Sequence, residues 1–322
     1  AQSILLANRK SNSTGLVIGK RIIGAVQCVT GKFSDADKSL SSAVHVYDKN
    51  PNFHRSYSPT YALDHKTTAL CYLGLTNIST SKIDLALTVS DQAVNHSKNI
   101  DLHSQNCALC YQTAIRHLRN DSANLIFDVA TRSLKLALDE GYASWVGMSR
   151  LLQGEAIIQL GHLEEGMNKI ENGVLEYSDV MAKTFLPLAQ SVLAKGYMAT
   201  NQYQKSLDVL LEAESLSIQT EQLWFLPEVQ RLHAETLIGL EQYEAAHDYY
   251  KRAWESASKI GAKFWLLKTA FSMADNKPFA KTYNNAYTLL TEATNSIEEG
   301  FEEPFVMKAI DLVKKNIIHT GL

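Results

Sequence analysis

Small and large apolar positions alternate along the chain with a 40-residue step. Gly74, Ala114, Gly154, Ala194, Ala234 and Ala274 form a series of small residues, and Trp145, Phe185, Phe225 and Trp265 form a series of large aromatics at the same interval. After each small residue the chain runs bulky, small, bulky, small at fixed offsets. Ala234–Tyr243–Ala246–Tyr250–Ala253 and Ala274–Tyr283–Ala286–Leu290–Ala293 are the clearest copies, and Ala114–Ala123–Ile126–Ala130–Ser133 is the loosest. Within each half of a unit, apolar residues recur every three or four positions, as in Leu207, Leu210, Leu211 and Leu216, which is the period of a helix. Short breaks such as Thr200-Asn201-Gln202 and Gly161-His162 separate the halves, as the connection of an αα-hairpin does. Gly141 and Gly261 fall where second helices should stop.

Each unit is therefore expected to be a pair of antiparallel helices whose small residues let the backbones approach, with a large residue plugging the remaining space. One such hairpin cannot bury its apolar face alone, but a stack of them can. The predicted fold is all-α, an α-α superhelix of about seven helical hairpins with a C-terminal capping helix. The expected organisation is a single solenoid over residues 1–322, with units near 14–48, 65–98, 104–140, 144–180, 184–220, 224–260 and 264–298 and a cap near 304–319. The frame also fits Gly24–Phe33–Ala36–Leu40–Ala43, but the next step is 50, so about ten extra residues fall near Lys49–Asp64. Residues 1–12 read as the tail of an earlier helix. The small–large–small–large–small spacing resembles the tetratricopeptide repeat, with longer helices than its usual 34-residue unit.

Charge narrows the partners. Lys and Arg number 31 against 34 Asp and Glu, a net charge of −3, which argues against an electrostatic grip on nucleic acid or on an anionic membrane. No apolar run approaches the ~20 residues of a membrane span. Four scattered cysteines are too few for a disulfide scaffold, and a reducing, cytoplasmic compartment is the simpler expectation. The chain opens at Ala1 with no signal-peptide pattern and reads as a piece of something longer.

Candidate chemistry is sparse. Gly15-Leu16-Val17-Ile18-Gly19-Lys20-Arg21 is one residue short of a phosphate-binding loop and has Arg21 where a magnesium-ligating hydroxyl belongs. Cys107 and Cys110 have metal-ligand spacing, with His103 and Cys71 able to complete a set, yet they fall on a helix face that should be core. The ten histidines form no His-Glu-x-x-His run, and no Gly-x-Ser-x-Gly elbow occurs. No catalytic residue, metal or cofactor is expected, and the fragment is read as a non-enzyme.

The stronger signal lies on the inner faces of the first helices. Glu155, Lys195, Glu235 and Asp275 follow one another at 40-residue steps, beside a second line of Leu151, Ser191, Arg231 and Phe271. Glu228 and Lys268 lie one turn earlier on their helices, and Tyr111 takes the corresponding place in the third unit. The candidate partner-binding groove is thus Tyr111, Leu151, Glu155, Lys195, Glu228, Arg231, Glu235, Lys268 and Phe271. Charges of both signs among aromatic and aliphatic side chains would suit a peptide or protein helix held by a few anchors. The competing reading is a solvated face laced by i,i+4 pairs such as Arg231–Glu235, or ordinary pairing between repeats. The insert is a second candidate surface, with Tyr47, Phe53, His54, Arg55, Tyr57 and Tyr61 able to dock aromatics or to pin a long loop.

Several phrases go beyond the generic repeat: Gly31-Lys32-Phe33-Ser34-Asp35-Ala36, Leu151-Leu152-Gln153-Gly154, Trp224 with Glu228, Arg231 and Glu235, and Glu299-Gly300-Phe301-Glu302-Glu303-Pro304. In this order they resemble the C-terminal repeats of bacterial STAND-type signalling ATPases, often fused to class III adenylate/guanylate cyclase or winged-helix domains. That resemblance implies a non-catalytic sensor or regulatory module that binds a protein, peptide or small ligand in its groove and reports to an attached ATPase domain. The alternatives are a stand-alone adaptor for protein–protein interaction and an intracellular peptide receptor.

Overall fold

A computed structural model of the chain describes residues 13–50, 63–180, 185–283 and 285–320. The expected N-terminal helix tail and the aromatics Phe53 to Tyr61 of the insert lie outside the described residues. Among the described residues there are sixteen helices and no strand. They are α1 (Ser13–Val29), α2 (Phe33–Asp48), α3 (His65–Ser79), α4 (Ile83–Ser97), α5 (Leu102–Leu118), α6 (Ala123–Asp139), α7 (Ala143–Gln159) and α8 (Leu163–Val180). Then follow α9 (Leu186–Ala199), α10 (Tyr203–Gln219), α11 (Leu226–Gly239), α12 (Tyr243–Ile260), α13 (Lys263–Asp275), α14 (Lys277–Thr282), α15 (Ala286–Asn295) and α16 (Pro304–Thr320). Consecutive helices pack as hairpins, and odd-numbered helices α1 to α13 also pack on one another, forming the inner layer of a tetratricopeptide-like α-α superhelix.

The small positions do what their size allows. A Cβ on Gly154 would stand 2.7 Å from the Gly166 carbonyl oxygen, so α7 and α8 meet backbone to backbone. Elsewhere alanine suffices, and Ala234, Ala246 and Ala253 are fully buried around Tyr250. Turns within hairpins share one geometry: Gln202 N–H donates to Tyr197 O (2.7 Å) and Asn201 N–H to Met198 O (3.0 Å), with Asn201 at φ 59°. This is the Schellman closure, which satisfies the last carbonyls of the first helix. The same left-handed residue ends α6 at Gly141 and α12 at Gly261.

The seventh unit departs from the expected pattern. Tyr203 and Tyr243 open their helices, but Tyr283 does not open α15. Asn276 caps the extra helix α14 by accepting from Phe279 N–H (3.0 Å), and Pro278 has no N–H to continue α13. Ala286, Leu290 and Ala293 nonetheless stay buried in phase.

The superhelix winds far enough to meet itself. Helix α13 touches α3, and Trp224 N–H donates to Val29 O (3.2 Å). A strap before α16 fastens the last unit to the early ones. Gly300 N–H donates to Asp84 Oδ2 (3.1 Å), Leu85 N–H to Glu299 Oε1 (3.1 Å), and Arg119 pairs with Glu303. Gly300 sits at φ 76° with Ile83 so close that a Cβ would approach it to 2.8 Å, so no other residue fits this crossing without movement. The phrase Glu299–Pro304 thereby closes the turn of the superhelix.

Cys28, Cys71, Cys107 and Cys110 are all buried free thiols, and burial pushes the Cys28 thiol up to about 12. Gly15 to Arg21 lies within α1, and among the described residues no three His, Cys, Asp or Glu side chains converge to hold a metal. No described helix is long and apolar enough to cross a membrane.

Candidate functional site

The inner helices begin with aromatics, and these fill one end of the bore. Phe185 stacks edge-on with Tyr111 (5.6 Å between centroids) and Trp224 (5.9 Å), and lies 6.2 Å from Tyr72 on the opposite wall. Phe225 meets Trp265 edge-on at 5.5 Å, and the Trp265 indole N–H donates to Trp224 O (2.8 Å). The apolar cavity left beside Tyr111, Phe185 and Trp224 is only about 30 Å³. The concave face is spent on core there.

Further along the same helices the bore turns polar. Glu155 on α7 is buried between His117 of α5 and Lys195 of α9, in ion-pair contact with both. Glu228 on α11 takes a two-pronged bond from Arg231, Nε to Oε2 (2.7 Å) and Nη2 to Oε1 (2.8 Å). Arg231 also pairs with Glu235 and donates to Ser272 Oγ (2.8 Å). Lys268 on α13 lies 3.4 Å from Glu228 Oε1, donates to the Leu118 carbonyl across the bore (3.4 Å), and stands over the Phe264 and Trp265 rings.

Burial and pairing compete in this network. Desolvation alone would raise the carboxyls of Glu228 and Glu155. The cations win: Arg231 and Lys268 hold Glu228, and His117 and Lys195 hold Glu155, below the usual carboxylate range. Burial pulls Lys268 down to about 8 despite Glu228, helped by the nearby Arg231 and Lys195. Burial pulls the His117 imidazole down, against the lift from Glu155.

Above the network opens a cavity of about 690 Å³, walled by the late turns of the inner helices and by α16. Lys195, Arg231, Glu235, Lys268 and Phe271 line it, as do Phe305, Lys308 and Leu312 from α16. Five of the nine candidate groove residues therefore meet at one opening. Glu155 and Glu228 lie beneath it as counter-ions. Two others do not belong to it. Leu151 is fully buried and its backbone abuts Gly173, so it faces the outer helix α8; its spacing marks the seam of a hairpin. Tyr111 belongs to the aromatic end. The Arg231–Glu235 pair exists and joins a network that also pairs successive repeats, Lys195 with Glu155 and Lys268 with Glu228, with Arg231 only 6% exposed.

The wall supplied by α16 is absent from the sequence-derived groove. Phe305, Lys308 and Leu312 stand at helical spacing on one face, but no 40-residue series includes them. Nothing short of the superhelical closure places that helix over the bore.

No protein-family model matches the chain, and no curated protein matches it in sequence. Solved structures share its fold. The chain is similar to NprR in complex with its cognate peptide NprX, at 14% identity over 95% of this chain and 86% of that one, with a TM-score of 0.59. It is similar to a Rap protein complexed with competence and sporulation factor, at 10% identity over 93% and 98% of the two chains, TM-score 0.56. A STAND protein with a tetratricopeptide repeat sensor, from Pyrococcus horikoshii, matches at 14% identity over 98% of this chain and 46% of that one, TM-score 0.44. The NprR and Rap structures are tetratricopeptide-type repeat proteins, and this chain shares their fold.

Proposed function

We propose that the chain is a non-catalytic binding module that takes a short peptide, or a peptide-like segment of a protein, in the charged cavity. The observation that carries this reading is the cavity itself. The charges of its floor, Glu155, Glu228 and Arg231, are buried, paired and fixed before any ligand arrives, so little of their side-chain freedom is lost on binding. Phe271, Phe305 and Leu312 add apolar wall for an anchor side chain. The two neighbours of highest similarity described above were solved with a peptide and with competence and sporulation factor, which supports a peptide-sized guest. The finer reading is a regulatory arm of a larger cytoplasmic signalling ATPase. The ordered phrases from Gly31 to Pro304 support it, and an ATPase domain in the complete gene product tests it against a stand-alone adaptor.

The direct test uses a synthetic random pentapeptide library with free termini and affinity selection on the purified chain. Enriched peptides should bind with micromolar affinity or better, and Phe271→Ala combined with Leu312→Ala should weaken them about tenfold or more. No enrichment, or enrichment indifferent to that double substitution in a variant of unchanged helicity, would refute the reading.

A further inference from the structure

A side pocket of about 290 Å³ adjoins the charged cavity and shares Glu235, Phe271, Ser272 and Asp275 with it. Tyr250, from the outer helix α12, also lines it. That side chain is fully buried, and its hydroxyl has no hydrogen-bond partner. Buried hydroxyls normally find a partner, because losing water without replacement is costly. This one belongs to a side chain that lines a space a ligand could fill.

Its own lining is acidic, although Arg231 reaches Glu235 and Ser272 from the adjoining cavity. Glu235 and Asp275 line the pocket, and no Lys, Arg or His does. Arg231 and the Ser272 hydroxyl (2.7 Å) both engage Glu235 through Oε1, which leaves Oε2 without a partner among the described residues. Asp275 is exposed at the end of α13 and has no ion pair or hydrogen bond through its carboxylate there. The Phe271 ring adds a face of negative quadrupole. The unpaired Asp275 carboxylate, the second oxygen of the Arg231-paired Glu235, a phenol oxygen able to accept and an aromatic face together suit a cation that carries several N–H donors.

We infer that this side pocket is a cation subsite, taking the end of an aliphatic chain that carries an ammonium or guanidinium group. The cation donates to Asp275, to Glu235 Oε2 and to the Tyr250 hydroxyl oxygen, while its methylenes lie along Phe271 and Ile238. Resting on the peptide reading above, the natural occupant is a basic side chain or the free N-terminus of the bound peptide. A free diamine or guanidino-amine offers the same chemistry.

Calorimetric titration of the whole chain with agmatine and with 1,5-diaminopentane tests the subsite without any peptide. Both should bind, 1-pentanol should not, Asp275→Asn should weaken binding about tenfold, and Tyr250→Phe about threefold. Asp275 is exposed, so its variant should fold as the parent does, and a thermal melt checks this. A second arm compares pentapeptides selected from the library with partners in which each Lys or Arg is replaced by norleucine and the N-terminus is acetylated. Loss of affinity in the parent chain, but much less in Asp275→Asn, assigns the peptide's cation to this pocket. Cation binding with no peptide binding would keep the subsite, make a small amine its ligand, and remove the peptide reading. Peptide binding with no preference for a cation, no amine binding, or amine binding unchanged by Asp275→Asn would overturn the subsite while leaving the peptide reading intact.

Discussion

The two ends of the bore are built by the same inner helices and come out opposite. At the start of those helices Phe185 meets Tyr72 and Tyr111, and Trp224, Phe225 and Trp265 follow it ring against ring, leaving almost no space. One turn or more further along, Glu155, Glu228, Arg231 and Lys268 form a buried polar floor below an open cavity. Apolar rings gain by closing the gap, since every contact removes surface from water. Charged groups gain only as far as each finds a partner, and the network stops where the pairs are complete. A repeated hairpin thus makes a closed end and an open end from one curvature, and residue type decides which.

The largest effect is expected at the closed end. Trp224 is buried to 1% exposure, and its backbone joins the sixth unit to the first. Trp224→Ala should cost about 3–5 kcal/mol in urea unfolding, and it should loosen contacts between units far apart in sequence. Small-angle scattering would register that as a larger radius of gyration at native conditions. A variant that lost stability without expanding would show that the rings are ordinary core and do not hold the turn closed.

At the open end, Glu228→Gln should come next, at about 3 kcal/mol, because Arg231 and Lys268 would keep their burial without their shared counter-ion. Denaturant titration measures it. A loss near zero would mean that water enters the floor and solvates the cations there, in which case the network is not a dry foundation for a ligand.

How much of this contrast was legible beforehand differs between the ends. The repeat, the all-α class and the aromatic series were visible because local packing within and between hairpins imposes a 40-residue period on small and large positions. The meeting of Phe185 with Tyr72 was not visible, since it depends on rotation accumulated over several units and leaves no period of its own. The same holds for the α16 wall and for Tyr250, which reaches the side pocket from an outer helix. Leu151 was misread as groove because inner-face spacing at 40 residues cannot distinguish the side facing the bore from the side facing α8. The charged series has a 40-residue period and so can be placed on the inner helices from sequence, but its buried pairing required coordinates.

Acidification should give a smaller and graded effect. Burial lowers the imidazoles of His65 and His233 to about 4, and it lowers His117 also. Their folded values lie below the ordinary unfolded value near 6.5, so the unfolded chain takes up protons first. Stability is then fully present above about pH 6.5 and declines as pH falls toward 4. Melting temperatures at pH 7 and pH 5 should differ, and His117→Gln should reduce the difference. An unchanged difference would place the acid sensitivity outside the open end.

The smallest effect at neutral pH should come from Lys268, although it touches more of the network than any surface charge. Lys268 is 7% exposed, and its ammonium is held at about 8, below the ordinary 10.5, because burial outweighs the Glu228 contact. Glu228 keeps its two-pronged bond from Arg231 when Lys268 is removed. Lys268→Met preserves the length of the side chain and its contact with Phe264 and Trp265, so stability at pH 7 should change by less than about 1 kcal/mol. The sign of the pH dependence separates this from mere tolerance. A lysine whose folded value is depressed opposes folding most below about pH 8, and that opposition fades as pH rises toward 10.5. The parent chain should therefore gain stability relative to Lys268→Met between pH 8 and 10. If it loses stability instead, the ammonium is a net stabilising member of the floor, and the open end is held together by its charges as firmly as the closed end is by its rings.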